Sequence, residues 1–485
     1  MNPIDLSKLG RLLTFNPERP MPYPGLEFFF LFLAFILLFT MLKNRHTGKI
    51  AVTTLFSLFF YYLTSGYGVV VLVCSVLANF YLSRLLLDLE GDGARKGVLA
   101  ATLAGNILLL LYFKYTNFFI QQAGHLGLGD GAPLSIVVPL GISFYTFQAI
   151  SYAIDVYRRK ATPLRTFMDF AFFICFFPKL LAGPLTRLDE FGTQIVKDDG
   201  VTKKDADSAV LLIVSGLVKK MVIADYVGLN FVDRVFANPL QYTGIENLAA
   251  VYGYAIQIFC DFSGYTDIAL GIALFMGYKL PPNFNSPYSA SDIREFWQRW
   301  HISLSLWFRD YLYIPLGGNR RGKARRCVNF LIVMGLCGFW QGASWNFIIW
   351  GLMHGAGLVA CSFLSGRLSG WRRMVGVFLT FHFVCLAWIF FRAESIGVAF
   401  DVMRQVTCAL EIGTAGSFLV AYWQIVALIC AGYALHFLPA KVKNGSAHMV
   451  SRLPLPVQSL LLATAIWCAM QLKTSAAAPF IYLQF

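Results

Sequence analysis

Apolar stretches long enough to cross a hydrocarbon layer of about 30 Å alternate along this chain with short polar connections. They fall near residues 25–42, 50–66, 68–88, 97–119, 135–157, 207–227, 246–277, 327–343, 345–366, 374–391, 419–437 and 454–473. The pattern predicts an all-α polytopic membrane protein with about a dozen crossings, filling the whole chain, 1–485, as a single domain.

Two stretches depart from simple spans. "FFICFFPKLLAGPLTR", from Phe172 to Arg187, is apolar but interrupted by Pro178, Gly183 and Pro184. Broken helix at membrane depth is tolerated where protein or a wet cavity satisfies the freed backbone groups, so a re-entrant segment is expected. The second, 289–318, reads "SASDIREFWQRWHISLSLWFRDYLYIPLGG". Ile293, Trp297, Trp300, Leu304, Trp307 and Tyr311 recur there at helical spacing, with Arg294, Gln298, Arg299, Ser305 and Arg309 largely between them. This predicts aromatic-rich helices lying in, or dipping into, the inner leaflet.

Composition agrees with the pattern. Apolar residues make up 57% of the chain and charged residues only 14%, against about a quarter charged in an average soluble protein. The net charge of +14 comes from short basic clusters between apolar runs. That distribution fits cytoplasmic loops and argues against nucleic acid as a partner. Lys43, Arg45 and Lys49 follow the first run, Arg95 and Lys96 the third, and Arg158, Arg159, Lys160 and Arg165 the fifth. Arg320, Arg321, Lys323, Arg325 and Arg326 form a later basic loop, followed by clusters at Arg367, Arg372 and Arg373 and at Lys441, Lys443 and Arg452. The alternation places both termini outside the cytoplasm. The polar, Pro-rich start through Pro24 runs into an apolar stretch without a small-residue cleavage site, as an uncleaved anchor does. Ten scattered cysteines show no ligand spacing, so no metal site is expected.

The chemistry centres on histidine. His354 lies within "SWNFIIWGLMHGAGL", nine residues beyond Trp345, or roughly 13 Å at 1.5 Å per residue, near mid-membrane. Gly351, Gly355, Ala356 and Gly357 leave room for a close approach. An ionisable group at that depth is costly and marks function more often than packing. His301, in "RWHISLS", belongs to the inner-leaflet helices, where a solvated histidine would also be tolerated. His46, His125, His382, His436 and His448 lie in loops or in spans without a polar neighbourhood. Asp261 and Asp267 sit on a span and are expected to pair or line a cavity. Lys179 in the broken segment could meet an anionic donor or pair structurally. No GxSxG elbow, HExxH helix or phosphate loop is present. General-base catalysis by imidazole, without a protein nucleophile, is the economical expectation.

Several stretches together resemble the membrane-bound O-acyltransferase family, in its bacterial branch that includes the membrane subunit of alginate O-acetylation. They are "PLGISFYTFQAISYAIDVYR" (Pro139–Arg158), "FPKLLAGPLTR" (Phe177–Arg187), "DFSGYTDIALG" (Asp261–Gly271), "EFWQRWHISLSLWFRDYLYIPLGGNR" (Glu295–Arg320) and "WNFIIWGLMHG" (Trp345–Gly355). The resemblance runs from about residue 25 to the terminal "FIYLQF". It implies a ring of about 12 transmembrane helices, with re-entrant and interfacial helices, around a central funnel. It also implies that His354 is the catalytic base and that His301 lies on the reaction path. Trp297, Trp300, Ser305, Arg309, Asp310, Gln341, Asp261 and Lys179 are candidates to line the donor and acceptor channel. Gln341 departs from the family, because many relatives carry a third histidine where this chain reads "FWQGAS". Glutamine can donate and accept a hydrogen bond but takes no proton at neutral pH.

The expected activity is transfer of an acyl group, above all acetyl, from a cytosolic thioester such as acetyl-CoA across a bacterial inner membrane. The acceptor side would be a periplasmic partner protein of an exopolysaccharide O-acetylation system, alginate-like in kind, with no bound cofactor. D-alanyl, lipid or peptidoglycan acyl transfer by the same fold is the alternative. A polysaccharide transporter or flippase is the reading from a different class, but it predicts paired broken segments in the two halves, and only one is present.

Overall fold

The computed structural model describes residues 25–471, apart from 198, 199, 365, 367, 440, 443, 444, 446–448 and 451, together with residues 10, 13–18, 20, 21 and 23. Arg367, Lys443, His448, Pro24 and the terminal "FIYLQF" therefore lie outside the described residues. Every regular element among those described is helical. Four helices are long and apolar enough to cross a membrane: Gly68–Asp88, Asp92–His125, Gly244–Phe275 and Gly370–Arg392. The pair Ile412–Ala421 and Trp423–Phe437 is apolar enough only when taken together and is bent by 93°, as a broken span or a re-entrant loop would be. The bend falls at Tyr422, whose ring packs against Phe231 with centroids 5.0 Å apart. In Asp92–His125 only 17% of the most apolar window is buried by protein, against 78% in Gly244–Phe275. The first therefore offers its side chains to lipid, and the second is a core helix.

The chain divides into two compact units, one of residues 1–209 and 269–281, the other of residues 210–268 and 282–485. In the first, helices Leu26–Met41, His46–Ser65, Gly68–Asp88, Asp92–Leu110 and Ile142–Tyr157 surround the broken segment. Asn79 and Asn106 exchange amide hydrogen bonds of 3.2 and 2.7 Å between neighbouring helices, the kind of polar clasp that holds apolar helices together in lipid. The predicted run 135–157 becomes helical only at Ile142. Gly141 before it has a φ of 69°, and a Cβ there would come within 2.6 Å of the Leu180 carbonyl oxygen.

The broken segment behaves as its prolines predict. Helix Phe167–Cys175 stops, and a single turn follows at Phe177–Leu180. The Phe177 N–H donates to Ser57 Oγ at 3.1 Å, and Gln148 Nε2 donates to Thr186 Oγ1 at 2.9 Å. The Ser57 side chain thus takes up a backbone group that the broken helix no longer pairs, and the Gln148 amide ties the far end of the break to Ile142–Tyr157. Phe177 is fixed by edge-on contacts with Phe35 and Phe56.

In the second unit, the predicted run 207–227 is helical to Leu217 and continues through a π turn at Val218–Ala224. That turn carries Lys219 and Lys220 toward Gly244–Phe275. Lys219 pairs with Asp267 at 2.6 Å, and Lys220 pairs with both Asp225 and Asp261, at 2.7 and 2.6 Å. The two intramembrane carboxylates are therefore neutralised by adjacent lysines.

Candidate active site

A tight helical hairpin sets the position of His354. Helices Gly322–Gln341 and Trp345–Ser362 approach so closely at Gly338 and Gly351 that a Cβ on Gly338 would overlap the Phe347 carbonyl, and one on Gly351 the Met334 carbonyl. Only glycine permits this contact. Ser344 caps the second helix by accepting from the Asn346 N–H at 3.3 Å. Asn346 Nδ2 in turn donates to the Ala393 carbonyl at 2.7 Å, tying the start of that helix to the end of Gly370–Arg392.

The imidazole so placed is wholly buried. Phe296 stacks on it with centroids 5.7 Å apart and planes 14° apart. Trp297, Trp350 and Phe383 meet it edge-on at 5.3, 4.9 and 6.0 Å, and Trp388 is tilted against it at 6.5 Å. Neither ring nitrogen has a hydrogen-bond partner among the described residues. Buried polar atoms are rarely left in this condition.

Phe296 and Trp297 arrive on the short helix Ile293–Arg299. Asp292 caps it, Oδ1 accepting from the Glu295 N–H at 2.9 Å. Glu295 then gathers the surroundings: it accepts from the Ser291 N–H and hydroxyl, both at 2.8 Å, from Arg299 at 2.8 Å and from Arg373 at 3.2 Å. Arg294, Gln298, Arg299 and Arg373 line a cavity of about 730 Å³. One short helix thus contributes residues both to this polar cavity and to the aromatic box around His354.

The predicted amphipathic segment 289–318 breaks at Trp300–His301 and resumes as Ile302–Phe308. His301 occupies the left-handed region with φ 40° and ψ 57°, unusual for a residue with a Cβ. Asn283 secures the break. Its carbonyl accepts from the Ile302 N–H, and its Oδ1 accepts from Ser303 Oγ at 2.6 Å. The His301 ring is buried and edge-on to Phe262 at 4.7 Å. Successive ring contacts run from Phe262 to Phe284, Trp300, Phe296 and His354. The two histidines are thereby ends of one aromatic array.

Other predicted site residues are more dispersed. Trp297 touches His354 directly and Trp300 through Phe296. Ser305 donates to the carbonyls of Trp300 and His301, at 3.3 and 3.2 Å, bracing the break. Arg309 and Asp310 pair with each other at 2.7 Å. Gln341 is buried at the hairpin's turn, about 13 Å in helical rise from the level of His354. Asp261 belongs to the Lys220 cluster. Lys179 lies in the other unit, where Nζ donates to the Phe173 carbonyl at 2.6 Å and sits over the rings of Phe173 and Phe191. Sequence reasoning missed Glu295, although Asp292 three residues before it and Arg299 four after it are capping and ion-pair spacings. It also missed Trp350, one turn before His354. His382 and His436, expected to lack a polar neighbourhood, each have one: His436 Nε2 accepts from the Tyr288 N–H at 3.1 Å, and His382 Nε2 lies 3.0 Å from the Tyr252 hydroxyl.

Residues 160–393, which contain both histidines, match the family model of the membrane-bound O-acyltransferases. A peptidoglycan O-acetyltransferase of Helicobacter pylori is 34% identical over 77% of this chain and 76% of its own length. This chain belongs to the membrane-bound O-acyltransferase family. It is a multi-pass acyltransferase of the branch that also holds alginate O-acetylases. A probable alginate O-acetylase of Pseudomonas aeruginosa is 39% identical over 64% of this chain, which spans 59% of that protein. A teichoic acid D-alanyltransferase of Streptococcus thermophilus is 33% identical over 52% of this chain and 68% of its own length. These relatives fit an enzyme rather than a transporter.

Proposed function

We propose that this O-acyltransferase passes an acetyl group from a cytosolic thioester, acetyl-CoA, to an acceptor on the periplasmic side of a bacterial inner membrane. A periplasmic partner protein would then acetylate a cell-envelope polysaccharide of alginate-like kind. About 12 helices would form a ring around the site, with both termini periplasmic. The basic loop at Arg320–Arg326 and the cavity beside Arg294, Arg299 and Arg373 would then face the cytoplasm. The observation that carries this reading is the buried imidazole of His354, unpaired among the described residues and set within aromatic rings. A neutral imidazole can accept the proton of an attacking hydroxyl, and in a dry site it meets little competition from water.

In this conformation the ring is closed off from solvent. A thioester entering from the cavity would have to reach it past Phe296 and Trp297, and the short helix that carries them would have to shift during the cycle. His301, at the other end of the aromatic array, would act on the same path. The names of the relatives support two other cargoes, a D-alanyl group and a peptidoglycan-directed acetyl group, which donor and acceptor identity separate.

The test is transfer of label from acetyl-CoA, or from a D-alanyl carrier protein, to candidate polysaccharides in membranes holding wild type or His354→Ala. Transfer from acetyl-CoA by wild type alone supports the proposal. Equal transfer by both removes His354 from the chemistry.

A further inference from the structure

Three tryptophans surround His354, and their indole N–H groups differ in one respect. Trp388 donates to the Tyr288 hydroxyl at 3.2 Å. Trp297 Nε1 and Trp350 Nε1 are buried and have no hydrogen-bond partner among the described residues, as is true of both nitrogens of His354. The rings form a close triangle: Trp297 to His354 is 5.3 Å, Trp350 to His354 is 4.9 Å, and Trp297 to Trp350 is 5.9 Å between centroids. Two indoles with unspent N–H donors and one imidazole with an unspent nitrogen, all desolvated, are therefore in mutual ring contact. A purely apolar aromatic ring at either position would leave no buried donor unsatisfied.

The geometry points to Trp297 and Trp350 as catalytic hydrogen-bond donors, whose indole N–H groups hold the carbonyl oxygen of the acyl thioester as it becomes an oxyanion. The inference rests on the acyl-transfer reading of His354. The acceptor hydroxyl attacks the thioester carbonyl while the His354 imidazole takes its proton. The carbonyl π pair moves onto oxygen, where the two N–H groups donate to it. Collapse re-forms the carbonyl and breaks the C–S bond, and the departing thiolate recovers the proton from the imidazolium. The products are an ester and a free thiol, with imidazole and both indoles unchanged. Uncharged donors suit this position, because they stabilise a transient anion without bringing a permanent charge into the membrane interior.

The experiment replaces Trp297 or Trp350 singly by β-(3-benzothienyl)alanine, in which sulfur stands in place of the N–H and the ring shape is kept. Trp→Phe substitutions are made in parallel. Purified full-length protein in lipid nanodiscs, supplemented with the periplasmic fraction of its own cells, is assayed for thiol release from acetyl-CoA with oligomannuronate or peptidoglycan fragments present, and His354→Ala is measured beside it. The expected result is a fall in kcat of about 10² to 10³ for each benzothienyl protein, with KM and the unfolding temperature unchanged. If His354→Ala is inactive while both benzothienyl proteins keep the kcat of wild type, the donor assignment is overturned and the base remains. A loss of kcat that tracks a lowered unfolding temperature overturns it as well, because the indoles are then packing groups. If His354→Ala retains turnover, the reading beneath the inference fails whatever the tryptophans do.

Discussion

Phe296 and His354 lie with near-parallel, offset rings, 5.7 Å between centroids and 14° between planes, although 57 residues of chain separate them. The phenyl ring fixes the plane of the imidazole, and hence the direction in which its nitrogens point. Phe296→Ala should remove that constraint and open a cavity. The expected loss of stability is about 3 kcal/mol or more, together with a fall in kcat. Thermal unfolding and turnover of the purified variant check the two effects, and unchanged turnover would mean that the stacking does not orient the base.

His301 combines a left-handed backbone with a buried ring. These contributions are separable. His301→Gly and His301→Asn keep a backbone that accepts positive φ, whereas His301→Ala does not. If the imidazole is needed for chemistry, all three variants lose turnover; each loses stability with the buried ring, and the alanine variant loses about 1 kcal/mol more than the glycine variant through its backbone. If the glycine variant turns over like wild type, the residue serves only to shape the break.

Lys220 stands between Asp225 and Asp261 at 2.7 and 2.6 Å. Lys220→Met would leave two buried carboxylates without their cation, a loss of about 3 to 5 kcal/mol for a broken buried pair. Adding Asp261→Asn should recover part of it. Unfolding temperatures of the single and double variants decide the matter, and a double variant less stable than the single one would argue against the pairing.

Glu295 sets a pH limit on the turn that carries Phe296 and Trp297. Partial burial alone would raise its carboxyl, but the Ser291 N–H, the Arg373 guanidinium, the Ser291 hydroxyl and Arg299 together bring it down to about 2. A carboxyl held below its ordinary value of 4.5 contributes stability that is complete above that value and is lost as pH falls toward 2. Between pH 5 and 8 Glu295 should therefore leave no mark on the activity profile. Glu295→Gln should lower activity by a constant factor across that range. A variant whose profile changes shape there would show that Glu295 titrates during turnover.

Much of the architecture is legible because lipid demands long apolar runs and short basic loops. Gly68–Asp88, Gly244–Phe275 and Gly370–Arg392 lie close to their predicted bounds. Local chemistry is legible too, as at the Pro178–Pro184 break and the cap of Ile293–Arg299. What periodicity cannot convey is which distant residues meet. Nothing near Asp261 in the chain announces Lys220, and nothing near Glu295 announces Arg373. The 93° bend at Tyr422 brings that ring against Phe231, nearly two hundred residues earlier. His354 stood out for the cost of placing a titratable ring in an apolar span, but its aromatic neighbours resemble ordinary membrane residues until they are assembled.

The absent side chains at Gly338 and Gly351 have a consequence for substrate choice. Two helices in direct backbone contact can neither slide nor roll without collision, so the depth of the imidazole below either surface is a fixed dimension of the protein. On the role proposed for His354, a donor would have to deliver its carbonyl to that level. The reach of the arm bearing the acyl group would then be screened along with the group itself, with the hairpin as the gauge.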